Sequence, residues 1–169
     1  DSYETKAAVL GVKEACSLPV FVTMVFDEKG KMLTGGTVES MAALLEGLKV
    51  DGIGVNCGLG PAQMIPIVRK LLEVTSLPVI VNPNAGLPRS ENGKTVYDID
   101  EEEFSERMRE IADMGAVIVG GCCGTTPAHI AKVVQKCREI PVVWPEKKGR
   151  TVVSSYCRAE EIGKDPVII

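Results

Sequence analysis

The chain has no apolar run approaching the roughly 18 residues that span a bilayer, and no basic-then-apolar leader opens it. A cytoplasmic protein without membrane contact is therefore expected. It also lacks a basic excess: net charge is -4, pI is about 5.2, and Lys and Arg are scattered rather than striped. Nothing here attracts a phosphate backbone, so nucleic acid is not an expected partner. There is a single histidine, His129, and no Cys-x-x-Cys knuckle of the kind that builds structural zinc sites. Six cysteines in 169 residues are too sparse for a secreted disulfide scaffold, and neighbours such as Cys122 and Cys123 rarely pair with each other, so reduced thiols are expected.

What is present is an ordinary globular composition, 45% hydrophobic and 25% charged, long enough for one sizeable core. Residues 4–15 read as a helix. Residues 19–26 then read as a buried strand, 27–36 as a turn and 37–49 as an amphipathic helix. The pattern repeats through a strand at 52–56, a helix at 61–74, a strand at 78–82, a polar loop to Tyr97 and a helix at 100–114. A last strand at 116–120 precedes a helix opened by Thr126 as N-cap and Pro127 at its first position, ending near Cys137. Nearly continuous apolar strands indicate burial on both faces, hence a parallel sheet flanked by helices, an α/β architecture. Periodicity alone leaves an open doubly wound sheet and a (β/α)8 barrel as alternatives. Residues 141–150 read as a linker, and the apolar run 162–169 stops abruptly. The chain reads as cut at both ends.

Cys57 follows one strand, and the adjacent pair Cys122 and Cys123 follows another. Ligands of parallel α/β folds bind at the C-terminal strand edge, where these loops converge. Three soft thiolates there suit zinc, and a three-ligand site keeps a fourth position open, as catalytic sites do. A substrate thiol in that position would have its pKa lowered, which favours alkyl transfer to sulfur. A lone cysteine at a strand end is usually a small buried hydrophobe, and Cys16, Cys137 and Cys157 are read as core or incidental residues. His129 is expected to be turned away from the sulfurs by its helix. Gly58-Leu59-Gly60-Pro61 is a weak phosphate-cradle signal, since Gln63 stands where a dinucleotide fingerprint needs glycine. The acidic run 98–103 reads as a solvated helix start.

The segment Gly120-Gly121-Cys122-Cys123-Gly124-Thr125-Thr126-Pro127-Ala128-His129, with Val55-Asn56-Cys57-Gly58 and Asn82-Pro83-Asn84-Ala85-Gly86 before it, resembles the zinc-dependent homocysteine S-methyltransferases. The resemblance implies a parallel (β/α)8 TIM-type barrel. Its zinc would be held by one cysteine after the sixth strand and two after the eighth, here Cys57, Cys122 and Cys123, with homocysteine as fourth ligand. Asn84 matches a residue that can occupy the open position when substrate is absent. The resemblance covers about residues 3–143, so only the C-terminal half of the barrel, about four β/α units, is expected. The residues that hold the amino and carboxylate groups of homocysteine would lie largely in the absent N-terminal half.

Residues 144–169 resemble the connection towards a pterin-binding domain in the cobalamin-dependent branch of the family. That implies methylcobalamin, bound by another domain, as methyl donor for methionine formation, and the N-terminal half-barrel and pterin and cobalamin domains as partners. Two other readings are a non-catalytic zinc-binding or scaffold fragment and a redox switch using Cys122 and Cys123. Four strands cannot close a barrel, so the end strands are expected to present raw edges to the N-terminal half or to a second copy.

Overall fold

Asp1, Thr37 and Asp100 each open a helix with a side chain that accepts from first-turn N–H groups. A computed structural model describes residues 1–163. Asp1 caps α1 (Ser2–Ala15) by accepting from the N–H groups of Tyr3 and Glu4. After β1 (Phe21–Met24), Thr37 and Ser40 form a reciprocal capping box that opens α2 (Val38–Gly47). The next unit is β2 (Gly52–Asn56) and α3 (Pro61–Val74), where Pro61 sits in the first turn at no hydrogen-bond cost. Strand β3 (Val79–Asn82) is followed by a short hairpin, β4 (Arg89–Glu91) and β5 (Lys94–Val96). Asp100 then caps α4 (Glu101–Asp113), accepting from Glu102 and Glu103. Strand β6 (Ile118–Val119), α5 (Pro127–Cys137) and the hairpin β7 (Thr151–Ser154) and β8 (Ala159–Ile162) complete the described chain.

Strands β1, β2, β3 and β6 form one parallel sheet in that order, with Gly52 opposite Phe21, Val79 opposite Ile53 and Ile118 opposite Ile80. The sheet is open, with β1 and β6 at its ends. Alternation separates its faces. Ile53, Val55, Val79 and Val81 are almost fully buried and share one core with Leu45, Met64, Val68, Phe104, Met108 and Ile111 of the helices. The opposite face carries small residues at the closest approaches. A Cβ on Gly54 would collide with the Ile80 backbone carbonyl, and one on Gly120 would sit 2.6 Å from Asn82 Oδ1.

Several expectations need correction. Burial on both faces holds for β2 and β3 but not at the sheet ends, where Phe21 is 53% and Ile118 42% exposed. End strands have a neighbour on one side only. The last strand is two residues long rather than five. The polar loop before Tyr97 contains the antiparallel pair β4–β5, turned by Asn92 and Gly93, both at positive φ as a type I′ turn requires. Residues 141–150 form neither helix nor strand, and Lys148 N–H donates to Ser76 Oγ while Arg150 donates to the Val74 carbonyl. Residues 151–162 form a hairpin, and Tyr156 stacks on Tyr3 at 5.6 Å. The apolar run at 162–169 lies beyond the described residues from 164 onward. Among the described residues no helix is long and apolar enough to cross a membrane.

Candidate metal centre

The loops after β2, β3 and β6 meet at the C-terminal edge of the sheet, and backbone bonds fix their mutual placement. Cys57 N–H donates to the Asn82 carbonyl at 3.0 Å, and Cys122 N–H donates to the Pro83 carbonyl at 2.8 Å. The loop after β3 is the tie between the two thiol loops. Asn84 N–H donates to the Leu59 carbonyl at 3.0 Å, Ala85 N–H donates to the Cys123 carbonyl at 2.9 Å, and Asn84 Oδ1 accepts from Cys123 N–H at 3.1 Å. Asn84 is 3% exposed, so its carboxamide is a structural part of the site and not a surface group.

Cys57 adopts φ +56°, a left-handed conformation that costs a non-glycine residue on the order of 1–3 kcal/mol and clusters at functional sites. Gly58 at +74° continues the turn. The consequence is that Cys57 Sγ lies 3.7 Å from Cys123 Sγ, which in turn lies 3.8 Å from Cys122 Sγ. All three sulfurs fall within 4.8 Å of one another. The structure therefore brings together the three cysteines singled out in the sequence, and among the described residues neither histidine nor carboxylate joins the cluster. A donor set of three soft thiols fits zinc and does not fit magnesium or calcium.

Electrostatics within the cluster are uneven. Burial works against the charged form of Cys57, but the Gly58 N–H, the Cys123 and Cys122 thiols and Asn84 together hold it below the ordinary cysteine value. Cys122 is pushed up to about 11 by burial, then by its two sulfur neighbours. The charged form is thus favoured at Cys57 and disfavoured at Cys122, where like charges crowd one another without a cation.

The other candidates stand apart. His129 is buried and fully engaged, with Nδ1 accepting from Thr126 N–H at 3.3 Å and Nε2 paired with the Ile99 carbonyl at 3.0 Å. It caps α5 and pins the chain before α4, facing away from chemistry as expected. Cys16 and Cys157 are exposed, and Cys137 packs against the core. A cleft of about 490 Å³ lies between α2 and the β7–β8 hairpin, lined by Glu46, Lys70, Lys148 and Arg150, away from the thiols.

One residue at the site was not found from the sequence. Tyr97 reaches the cluster from the end of β5, and its ring lies where a Cβ on Gly124 would be. Its phenol is raised above the ordinary tyrosine value, first by burial and then by the nearby Cys123 sulfur. The ring rests on Gly124, at φ +81° directly after the cysteine pair, a contact between residues distant in sequence.

Three thiols thus converge at the C-terminal edge of a parallel α/β sheet, and comparison with known proteins gives the family. The chain belongs to the homocysteine S-methyltransferase family, whose model it matches over residues 1–137. It is 40% identical over 148 residues to methionine synthase of Mycobacterium leprae (strain TN), covering 82% of this chain and 12% of that protein. It is 41% identical over 175 aligned positions to methionine synthase of Mycobacterium tuberculosis (strain ATCC 25618 / H37Rv), covering 100% of this chain and 15% of that protein. The chain thus spans a small fraction of the length of these relatives. Among solved structures, the oxidized form of the homocysteine methyltransferase MmuM from Escherichia coli superposes with TM-score 0.65 at 23% identity, over 80% of this chain and 42% of that one. The metallated form of MmuM gives 0.59 at 26% identity, over 79% of this chain and 40% of that one.

Proposed function

We propose that this chain is the metal-binding half of a homocysteine S-methyltransferase barrel. Residues 1–143 would supply the C-terminal four β/α units, and residues 144–169 the connection towards a following domain. The observation that carries the reading is the cluster of Cys57, Cys122 and Cys123 at the sheet edge of a chain from this family. Those three residues would hold zinc and leave one position for the homocysteine sulfur. Zinc held there supplies one function, polarisation of a thiol beside it so that homocysteine reacts as thiolate near neutral pH.

The rest of the chemistry belongs to the chain's own groups. The strained turn at Cys57 and the Asn84 tie to Cys123 hold the sulfurs at one point before any ligand arrives, so little ordering remains to be done on binding. Asn84 Oδ1 has a second lone pair beyond the one given to Cys123 N–H, which is what a role as stand-in ligand in the absence of substrate would use. The methyl donor of the complete protein would be methylcobalamin on another domain. The open edges at β1 and β6 are where the N-terminal half of the barrel would pair.

Proton release tests the reading. Zinc added to the metal-free chain near neutral pH is expected to displace roughly two to three protons as the thiols become ligands. Homocysteine added next, with an ordinary thiol pKa of about 8.5, is expected to release about one more if it binds as thiolate. Release with zinc but none with homocysteine would favour the non-catalytic metal-binding fragment. No release with zinc would overturn the metal reading altogether.

A further inference from the structure

The face of the sheet turned away from the helices changes character from row to row. Register sets Gly54 beside Ile80 and Ile80 beside Ile118 in one row, and Asn56 beside Asn82 in the next row towards the thiols. Asn82 Oδ1 stands over Gly120, which has no side chain to displace it. The lower row is apolar or bare, as the inside of a parallel barrel ordinarily is. The upper row instead carries two carboxamides side by side, at the last positions of β2 and β3 before the loops that place the sulfurs. Alternation turns both away from the core that takes Val55 and Val81.

Neither carboxamide is used by the fold. Asn82 supports Cys57 through its backbone carbonyl alone, and the side-chain tie to Cys123 comes from Asn84. Among the described residues the side chains of Asn56 and Asn82 have no hydrogen-bond partner, and both residues are half-buried. Polar groups partly withdrawn from water cost stability until something bonds them. Asn56 directly precedes Cys57, so this row is the first polar surface of the sheet below the sulfurs. Three cysteine thiolates and a substrate thiolate outweigh the charge of one divalent cation. Coulomb attraction therefore favours the positive end of a bound molecule beside the centre and disfavours a carboxylate there.

We propose that Asn56 and Asn82 are substrate-binding residues of the thiol centre: their carboxamide oxygens accept from the ammonium group of an amino-acid thiol whose sulfur is held at Cys57, Cys122 and Cys123. This rests on the metal reading above and deepens it, because it gives this chain its own means of telling an amino-acid thiol from one without an amine. A carboxamide suits the task. Its oxygen bonds an ammonium group and adds no further negative charge beside the sulfurs.

The test compares the zinc-loaded chain with its Asn56→Ala and Asn82→Ala variants, both of which keep the backbone bonds of the thiol loops. The probes are homocysteine and its desamino analogue, which keeps the thiol and the carboxylate and lacks the ammonium group. Affinities are read by isothermal titration calorimetry, beside the zinc content of the same samples. Each variant is expected to bind homocysteine on the order of ten-fold more weakly, the effect of one lost hydrogen bond to a charged group, with the desamino analogue and zinc content unchanged. Homocysteine affinity unchanged in both variants would overturn the proposal. An equal loss for both thiols, or a loss of zinc, would also overturn it, since the carboxamides would then only support the cysteine loops. A zinc-loaded parent that takes neither thiol would overturn it and leave the metal site standing, whereas a parent without zinc would remove both.

Discussion

Cys57→Ser is expected to lower zinc affinity by more than the roughly 10–100-fold that loss of an outer-shell partner costs. A hydroxyl is a harder and far less acidic donor than a thiol, and the position it would fill cannot be supplied by a neighbour. Cys122 and Cys123 already occupy the other two, and among the described residues no histidine or carboxylate lies in the cluster. The substitution leaves the backbone as it was, because serine meets the same left-handed turn at φ +56° with a side chain of similar size. The effect should therefore appear in a competition titration against a chromophoric chelator without a matching loss of thermal stability. Cys16→Ser, at an exposed position outside the cluster, serves as control and should leave affinity unchanged. Unchanged affinity in Cys57→Ser would remove the metal assignment.

Gly54→Ala is the second large effect, and it acts on the fold. The new Cβ would meet the backbone carbonyl and Cβ of Ile80 in the adjacent strand, and a strand cannot move aside as a flexible side chain does. Overpacking of this kind costs about 3 kcal/mol or more when the obstacle is backbone. The shift would pass along β3 into Asn82 and so into the Cys57 N–H bond that sets the thiol loop. Urea unfolding should show the loss as a lower midpoint at unchanged slope, and zinc affinity should fall with it. A variant as stable as the parent would mean that the two strands do not approach as closely as described.

The central architecture was legible because several signals agreed at the same places. Strands β2 and β3 are continuous apolar runs between helices, and Thr37, Asp100 and Thr126 each mark a helix start with a side chain that can accept from the first turn. The thiol cluster was legible for a similar reason: both cysteine segments follow strands of one parallel sheet, so topology alone sends them to the same edge. The open edges at β1 and β6 followed from the strand count, whereas the exposure of Phe21 and Ile118 on them did not, since an apolar residue type does not reveal whether both faces of its strand are covered. The β4–β5 hairpin was missed although Asn92-Gly93 is a strong turn signal, because Arg89, Ser90, Glu91, Lys94 and Thr95 are exposed and carry no apolar alternation. Tyr97 owes its place to a contact with Gly124, distant in sequence, and no local pattern could announce it.

The central claim is that Cys57, Cys122 and Cys123 form a three-sulfur zinc site with one position kept for the substrate sulfur. Zinc K-edge X-ray absorption on the purified chain, with and without homocysteine, tests it most directly. The account predicts one zinc per chain in a shell of three sulfurs and one lighter atom, changing to four sulfurs when homocysteine is added. A shell without the three cysteine sulfurs, or one already closed by four protein ligands and indifferent to homocysteine, would contradict it.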